Sequence, residues 1–298
     1  MESARSSKDS GTSANPVGRC REASGLSMRP HPTRQTLTLD GVDISVEMAG
    51  DGPAVLCLHA VGHDGRDYEA LVDRLGQSYR FVCVDWPGQG GSSGDHQPAS
   101  AKRYAELAEG VIERLDLQRP ILIGNSIGGA AAIHIASRRP VQALVLCDSG
   151  GLLAVTPAVT RFCGLFERFF RAGERGAWWY GPLFALYYRF VLPAKAAGAQ
   201  RARIVAAARR SAGPLRQAWA SFALPDADIR DIAATLDVPI WVAWAANDRT
   251  IPLSRCLPAI RQLKSYQLST FPGGHCPFLE QPDAFAEEFM SFVDRLPR

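Results

Sequence analysis

Gly124-Asn125-Ser126-Ile127-Gly128-Gly129 follows the apolar run Pro120-Ile121-Leu122-Ile123 and precedes the small-residue segment Ala130-Ala131-Ala132-Ile133-His134-Ile135-Ala136. A β-branched strand running into an Ala-rich helix leaves the serine on a sharp strand-to-helix turn. At such a nucleophile elbow the serine backbone is strained. Small residues two before and two after it let strand and helix pass closely enough to keep Oγ exposed. Gly124 and Gly128 meet that demand, and the positive end of the following helix favours the negative charge that develops when a hydroxyl attacks a carbonyl. Ser126 is the candidate nucleophile. A Gly-x-Ser-x-Gly pentapeptide alone marks many ordinary turns, so the reading rests on partners further along the chain.

Those partners lie in the last quarter. Val238-Pro239-Ile240-Trp241-Val242-Ala243-Trp244 reads as a buried strand opening into Ala245-Ala246-Asn247-Asp248-Arg249-Thr250-Ile251-Pro252, which places Asp248 on a loop at a strand's carboxyl end. The strand Ser265 to Phe271 leads into Pro272-Gly273-Gly274-His275-Cys276-Pro277-Phe278, a turn sequence centred on His275. A serine hydroxyl is a poor nucleophile until an imidazole takes its proton, and the imidazole needs a carboxylate to fix its tautomer. Asp148, at the end of the strand after the elbow helix, is the rival for the acid; the Asp248 loop fits the role better.

The order Ser126, Asp248, His275 is that of the α/β-hydrolases. The chain resembles an α/β-hydrolase-fold serine hydrolase of the group that carries a helical cap, over about residues 36 to 298. The resemblance is carried by Leu56-Cys57-Leu58-His59-Ala60-Val61-Gly62, by Asp85-Trp86-Pro87-Gly88-Gln89-Gly90-Gly91-Ser92-Ser93, by the elbow, and by the Asp248 and His275 loops. It implies an oxyanion hole made by the backbone N–H groups of Val61 and Ile127. Ala60 departs from the family's usual His-Gly, at a place where glycine would reach positive φ cheaply. His59, His63, Trp86, Trp178 and Trp179 are the candidates for lining the substrate pocket. Asp85 matches a structural loop of the family.

Composition agrees with a folded enzyme. At 46% hydrophobic and 21% charged, 298 residues suffice for one large domain or a core with an insertion. The most apolar stretches, such as 183 to 192, fall short of a membrane span and contain Arg189. Residues 1–35 are rich in Ser, Gly, Pro and Arg, with no apolar period and no signal-peptide core, and are expected to be a disordered extension. Met28 lies just before the folded part, so an upstream start-site error is the expected origin of the extension. Seven cysteines fit no metal-ligand spacing, and Cys57, Cys83 and Cys147 fall in core strands, which suits reduced thiols in the cytoplasm.

Strands alternate with helices from Ala54 to Leu146 and again from Val238 to Arg295. This rhythm predicts a mostly parallel sheet covered on both faces, built from 36–150 and 236–298. Residues 151–235 break it with several helices and read as the cap. Within it, 151–224 carries eleven Lys/Arg against Glu167 and Glu174, a net +9 in a chain whose total is +3. Cap arginines such as Arg201, Arg203, Arg209, Arg210 and Arg216 are read mainly as solvated helix faces. The cap aromatics are read mainly as its own core, with some shaping a pocket for a bulky apolar group. No nucleic-acid-binding motif is present.

The expected function is a cofactor-independent serine hydrolase that cleaves an ester or related activated carbonyl of a small molecule through an acyl-enzyme. The same triad serves carbon–carbon bond hydrolases, perhydrolases and haloperoxidase-like enzymes. A non-catalytic ligand-binding protein of this fold is the reading outside enzymes.

Overall fold

The computed structural model describes residues 32–297. Strands β1 (Thr33–Leu39) and β2 (Val42–Ala49) form a hairpin across Asp40-Gly41. The φ values of these two residues, 48° and 76°, are the left-handed pair that a two-residue hairpin turn needs. Of the extension expected over 1–35, residues 1–31 lie outside the described residues. Thr33, Arg34 and Gln35 are a correction to that expectation, because they belong to β1. Strand β2 supplies their partners, Met48, Glu47 and Val46, and the Arg34 guanidinium reaches Glu47 at 2.7 Å.

The chain then alternates: β3 (Ala54–Leu58), α1 (Glu69–Leu75), β4 (Arg80–Val84), α2 (Ala101–Arg114), β5 (Ile121–Asn125), α3 (Ile127–Arg138) and β6 (Ala143–Cys147). Five helices follow before the sheet resumes: α4 (Pro157–Glu174), α5 (Tyr180–Val191), α6 (Gly198–Ala206), α7 (Ala208–Ser221) and α8 (Arg230–Thr235). The last part comprises β7 (Ile240–Ala245), α9 (Leu253–Ile260), β8 (Tyr266–Phe271), α10 (Pro277–Glu280) and α11 (Pro282–Val293). The eight strands form one sheet in the order β1-β2-β4-β3-β5-β6-β7-β8. Strand β2 pairs antiparallel with both neighbours, and every other pair is parallel. This is the α/β-hydrolase fold with an inserted helical cap.

Central strands β5 and β6 are buried along their whole length, as expected of parallel strands covered on both faces. After β3 the chain steps to one side for β4 and returns to the other side for β5. The strand order therefore reverses at β3 and β5, and the crevice beyond their carboxyl ends is where such sheets place ligands. At the far edge Trp241 of β7 meets Phe285 and Phe292 of α11, with ring centroids 4.7 and 6.0 Å apart. The cap has its own aromatic core, as the helical spacing suggested: Phe166 of α4 stacks on Trp219 of α7 at 4.3 Å, and Phe170, Tyr180 and Phe184 are fully buried. Ile229 N–H donates to Gly151 O at 3.1 Å and ties the cap's return to its exit. Among the described residues no helix is long and apolar enough to cross a membrane.

The crossing of α3 over β3 and β5 leaves no room for side chains at two points. A Cβ on Gly124 would stand 2.4 Å from Gly128 O, and one on Gly128 only 2.1 Å from Leu58 O. These obstacles are backbone atoms, so relief requires moving the helix or a strand. Gly128→Ala is expected to destabilise the fold by about 3 kcal/mol, the upper part of the range for overpacking. Urea unfolding of wild type and variant checks this, and an unchanged midpoint would contradict the close approach.

Candidate active site

Ser126 sits between β5 and α3 with φ 55° and ψ −118°, a conformation that L-residues avoid and surrounding contacts must enforce. Those contacts are visible. Ser126 N–H donates to Cys147 O of β6 at 3.1 Å. Its carbonyl accepts from Gly129 and Gly150 N–H at 3.0 and 2.8 Å, and from Ala130 N–H at 3.3 Å. The residue after it, Ile127, opens α3, so its N–H has no acceptor within the helix.

His275 and Asp248 come from the loops after β8 and β7. His275 Nδ1 is 2.8 Å from Asp248 Oδ2, and both side chains are buried. Asp248 Oδ1 accepts from Thr250 and Ile251 N–H at 2.7 and 3.0 Å, so the carboxylate is held on both oxygens. With Nδ1 spent on Asp248, the remaining ring nitrogen, Nε2, is the proton acceptor available to a neighbouring hydroxyl. Glu280, which no motif in the sequence marks, fixes the loop. Its Oε2 accepts from Gly274, His275 and Cys276 N–H at 2.7, 3.1 and 3.3 Å. The signal was an acid five residues beyond the histidine in a Pro-Phe-Leu-Glu turn, too common a pattern to stand out. Asn125 adds a cross-link, donating through Nδ2 to Cys147 O and His275 O at 3.0 Å each.

The loop after β3 turns at Ala60 to His63, where His63 N–H donates to Ala60 O at 3.2 Å and Gly62 takes φ 87°. The positive φ falls on Gly62, and Ala60 is not among the positive-φ residues. The departure from His-Gly therefore costs no backbone strain, and the Ala60 methyl simply faces the cavity. Gln89 Oε1 accepts from Gly62 N–H at 2.5 Å, and its Nε2 donates to Tyr104 Oη at 3.0 Å, bracing the loop.

A cavity of about 440 Å³ lies between the sheet and the cap, and Ser126, His275, Val61, Ile127 and His63 all line it. Leu153, Val159, Phe162, Trp219, Phe222 and Ile229 make much of its wall apolar, while Lys102, Arg249 and Arg255 also face it. Phe162, Tyr187 and Tyr188 stood among the cap aromatics of the sequence; nothing in their spacing separated wall from core. His63 is fixed by Asp67, at 2.6 Å from Nδ1, and Asp67 in turn accepts from Gln200 of α6.

Four of the expected pocket residues lie elsewhere. His59 is completely buried: Nδ1 bonds Ala60 O at 2.7 Å and Nε2 accepts from Trp86 N–H at 3.0 Å. Burial lowers its pKa, which suits this neutral tautomer. Trp86 returns a bond from Nε1 to His59 O at 2.7 Å and stacks on Tyr104 at 4.4 Å, so the pair is a strut joining the ends of β3 and β4 beneath the cavity. Trp178 is 83% exposed. Trp179 turns toward Phe169 within the cap, at 6.2 Å between ring centroids. Asp85 is structural, accepting from Gly65 and Gly91 N–H at 2.7 and 2.8 Å.

Among the described residues two clusters bring potential metal donors within 4.8 Å of one another: His63 with Asp67 and Cys276, and Asp148 with Asp248 and His275. In each, the histidine Nδ1 is already engaged by a carboxylate. Burial pushes the Cys276 thiol well up, and it donates to Asn125 Oδ1 at 2.7 Å. Each histidine is thus committed to a carboxylate and the thiol to an amide, so neither donor set fits a metal well.

A strained serine at a strand-to-helix turn and a histidine bonded to a buried aspartate share one cavity on this sheet. The Alpha/beta hydrolase family model matches residues 55–288, and the chain belongs to that family. It is 30% identical over 269 residues to the pimeloyl-[acyl-carrier protein] methyl ester esterase of Xanthomonas campestris, covering 85% of this chain and 99% of that protein. It is also 26% identical over 297 residues to an uncharacterized protein of Mycobacterium tuberculosis, covering 88% and 82% respectively. Among solved structures, an esterase from Exiguobacterium antarcticum superposes with TM-score 0.76 at 20% identity, over 88% of this chain and all (100%) of that one. An esterase from Thermogutta terrifontis superposes with TM-score 0.74 at 20% identity, over 88% and 98%. At that identity the superpositions show the fold alone.

Glu280→Ala strands three buried N–H groups, and an unmade buried bond costs on the order of 1–3 kcal/mol. The expected outcome is a loss of about 3 kcal/mol in chemical denaturation, together with reduced turnover, because the His275 loop loses its anchor. A variant as stable as wild type would show that the N–H groups find other acceptors.

Proposed function

We propose that the protein is a serine esterase in which Ser126, His275 and Asp248 act as the catalytic triad. The observation that carries the reading is a serine held at φ 55° at the head of α3, in the same cavity as a histidine whose Nδ1 is fixed by a buried carboxylate. His275 Nε2 takes the Ser126 proton as Oγ adds to the ester carbonyl. Asp248 holds the ring's tautomer and stabilises the imidazolium. The carbonyl oxygen, now an oxyanion, is received by the N–H groups of Val61 and Ile127, a contribution that typically reaches about 10²–10³-fold per donor. As the tetrahedral adduct collapses, His275 returns the proton to the leaving alcohol; water then releases the acid by the same path in reverse.

The apolar wall formed by Phe162, Trp219 and Phe222 suits an apolar acyl or alcohol portion. The 30% identical Xanthomonas campestris relative carries the name of a methyl ester esterase, which supports an ester over the other bonds that this triad breaks. The described cysteines are unpaired and buried, which supports a reducing compartment such as the cytoplasm.

Ser126→Ala is expected to fold normally, to lose labelling by a fluorophosphonate probe, and to lose at least about 10³-fold in kcat on p-nitrophenyl esters. Asp248→Asn is expected to lose on the order of 10³–10⁴-fold through the wrong imidazole tautomer. Undiminished turnover in Ser126→Ala would sink the proposal. Stoichiometric ligand binding without turnover in wild type would favour a binding protein.

A further inference from the structure

Asp148 follows β6 directly and is completely buried, with φ 42°. Its Oδ1 accepts from Ala245 N–H at 3.0 Å, but its Oδ2 has no donor among the described residues. A carboxylate oxygen so placed is costly to keep ionised, and such groups are expected to carry a function or a proton. The neighbours say which. Oxygens of Asp148 and Asp248 and a ring nitrogen of His275 lie within 4.8 Å of one another, so the Asp148 carboxyl has another carboxylate as its neighbour. Two acids in such contact do not both ionise, and the pair retains a proton.

The donors decide where that proton resides. Asp248 accepts from Thr250 N–H, Ile251 N–H and His275, three donors that favour its charged form. Among the described residues Asp148 accepts from Ala245 alone. Negative charge settles on Asp248 and the proton on Asp148. Resting on the triad reading above, we propose that Asp148 is a positioning residue: a neutral carboxyl whose Oδ2 hydrogen is donated to the Asp248 carboxylate, holding it in line with His275 Nδ1. The other ionisable groups around Asp148 point the same way. Burial and then the Asp248 charge raise its pKa well above the ordinary carboxylate value, with Glu280 adding in the same direction. The thiols of Cys147, Cys256 and Cys276 nearby are themselves pushed up by burial and stay neutral. His275 is the one basic group in the cluster, and its Nδ1 is committed to Asp248.

Asp148 and Asp248 then have distinct tasks. Asp248 carries the charge, and Asp148 adds a donor to it at neutral pH and withdraws that donor once it ionises. Asp148→Asn keeps a donor at every pH, whereas Asp148→Leu keeps approximate volume without one. With a p-nitrophenyl ester, the Asn variant is expected to stay within about threefold of wild-type kcat and to lose the alkaline decline that Asp148 ionisation imposes. The Leu variant is expected to fall at least about tenfold at all pH, equivalent to one pKa unit of lost interaction. Equal activity of Leu and Asn variants, or identical pH profiles of wild type and Asn variant, overturns the proposal.

A second measurement does not depend on turnover. The proton on Asp148 is bound more tightly in the folded than in the unfolded chain, so its contribution to stability is full below the unfolded pKa, about 3.9, and fades as pH rises toward the raised folded value. Wild type should therefore lose stability relative to Asp148→Asn as pH climbs from 4 to 8, and parallel curves in urea unfolding overturn the proposal. Turnover that survives Asp248→Asn would remove the triad reading instead, while the stability curves would still report the Asp148 proton.

Discussion

The close passage of α3 over β3 and β5 is the constraint on which the rest of the molecule depends. Gly128 brings the helix backbone against Leu58 O at the end of β3, and Gly124 brings the strand against Gly128. With that spacing Ser126 has nowhere to go except φ 55°, and its N–H and carbonyl are then pinned by Cys147, Gly129 and Gly150. The strain of one residue, of order 1–3 kcal/mol, is offset by three backbone bonds and by the apolar burial of β5 on both faces. The same contact sets the helix end beside the loop after β3, so that Ile127 and Val61 line one cavity.

Around this point the protein uses buried polar groups as props, at positions where the chain has no regular hydrogen-bonding partner. Glu280 gathers three N–H groups of the His275 loop, Asp85 two from the loops near β4, Gln89 the Gly62 amide, and Asn125 two carbonyls. Buried groups of this kind are costly unless satisfied, and almost all of these are. Asp148 is the exception beside the His–Asp pair, and the partner it lacks as an anion it has as an acid.

The cap closes the crevice with an apolar wall while remaining linked to the core through polar contacts. Gln200 donates to Asp67, and Arg203 reaches Glu69 at 3.3 Å. Within 151–224 Arg216 pairs with Glu174 and Arg171 with Glu167, the two acids of that segment, while Arg201 donates to Leu192 O.

The sheet, the elbow and the order of Ser126, Asp248 and His275 were legible in the sequence because each rests on local physics. Continuous apolar runs make buried parallel strands, and small residues at fixed offsets mark a tight crossing. Turn residues expose the side chain between them. Residues whose roles depend on distant neighbours were not legible. Trp86 and His59 read as pocket residues, yet each satisfies the other's polar atoms 27 positions away, and that pairing buries both. Trp178 shares the composition of the cap aromatics that line the cavity, but the face of its segment turns to solvent. Thr33 to Gln35 looked like tail because strand pairing is decided by the partner strand. Glu280 and Asp148 take their meaning from backbone amides and a carboxylate brought to them by folding. Local sequence determined which elements form and which side chains stand at their ends. Only the tertiary structure decided which of those side chains meet, because burial and hydrogen-bond satisfaction are properties of the whole packed chain.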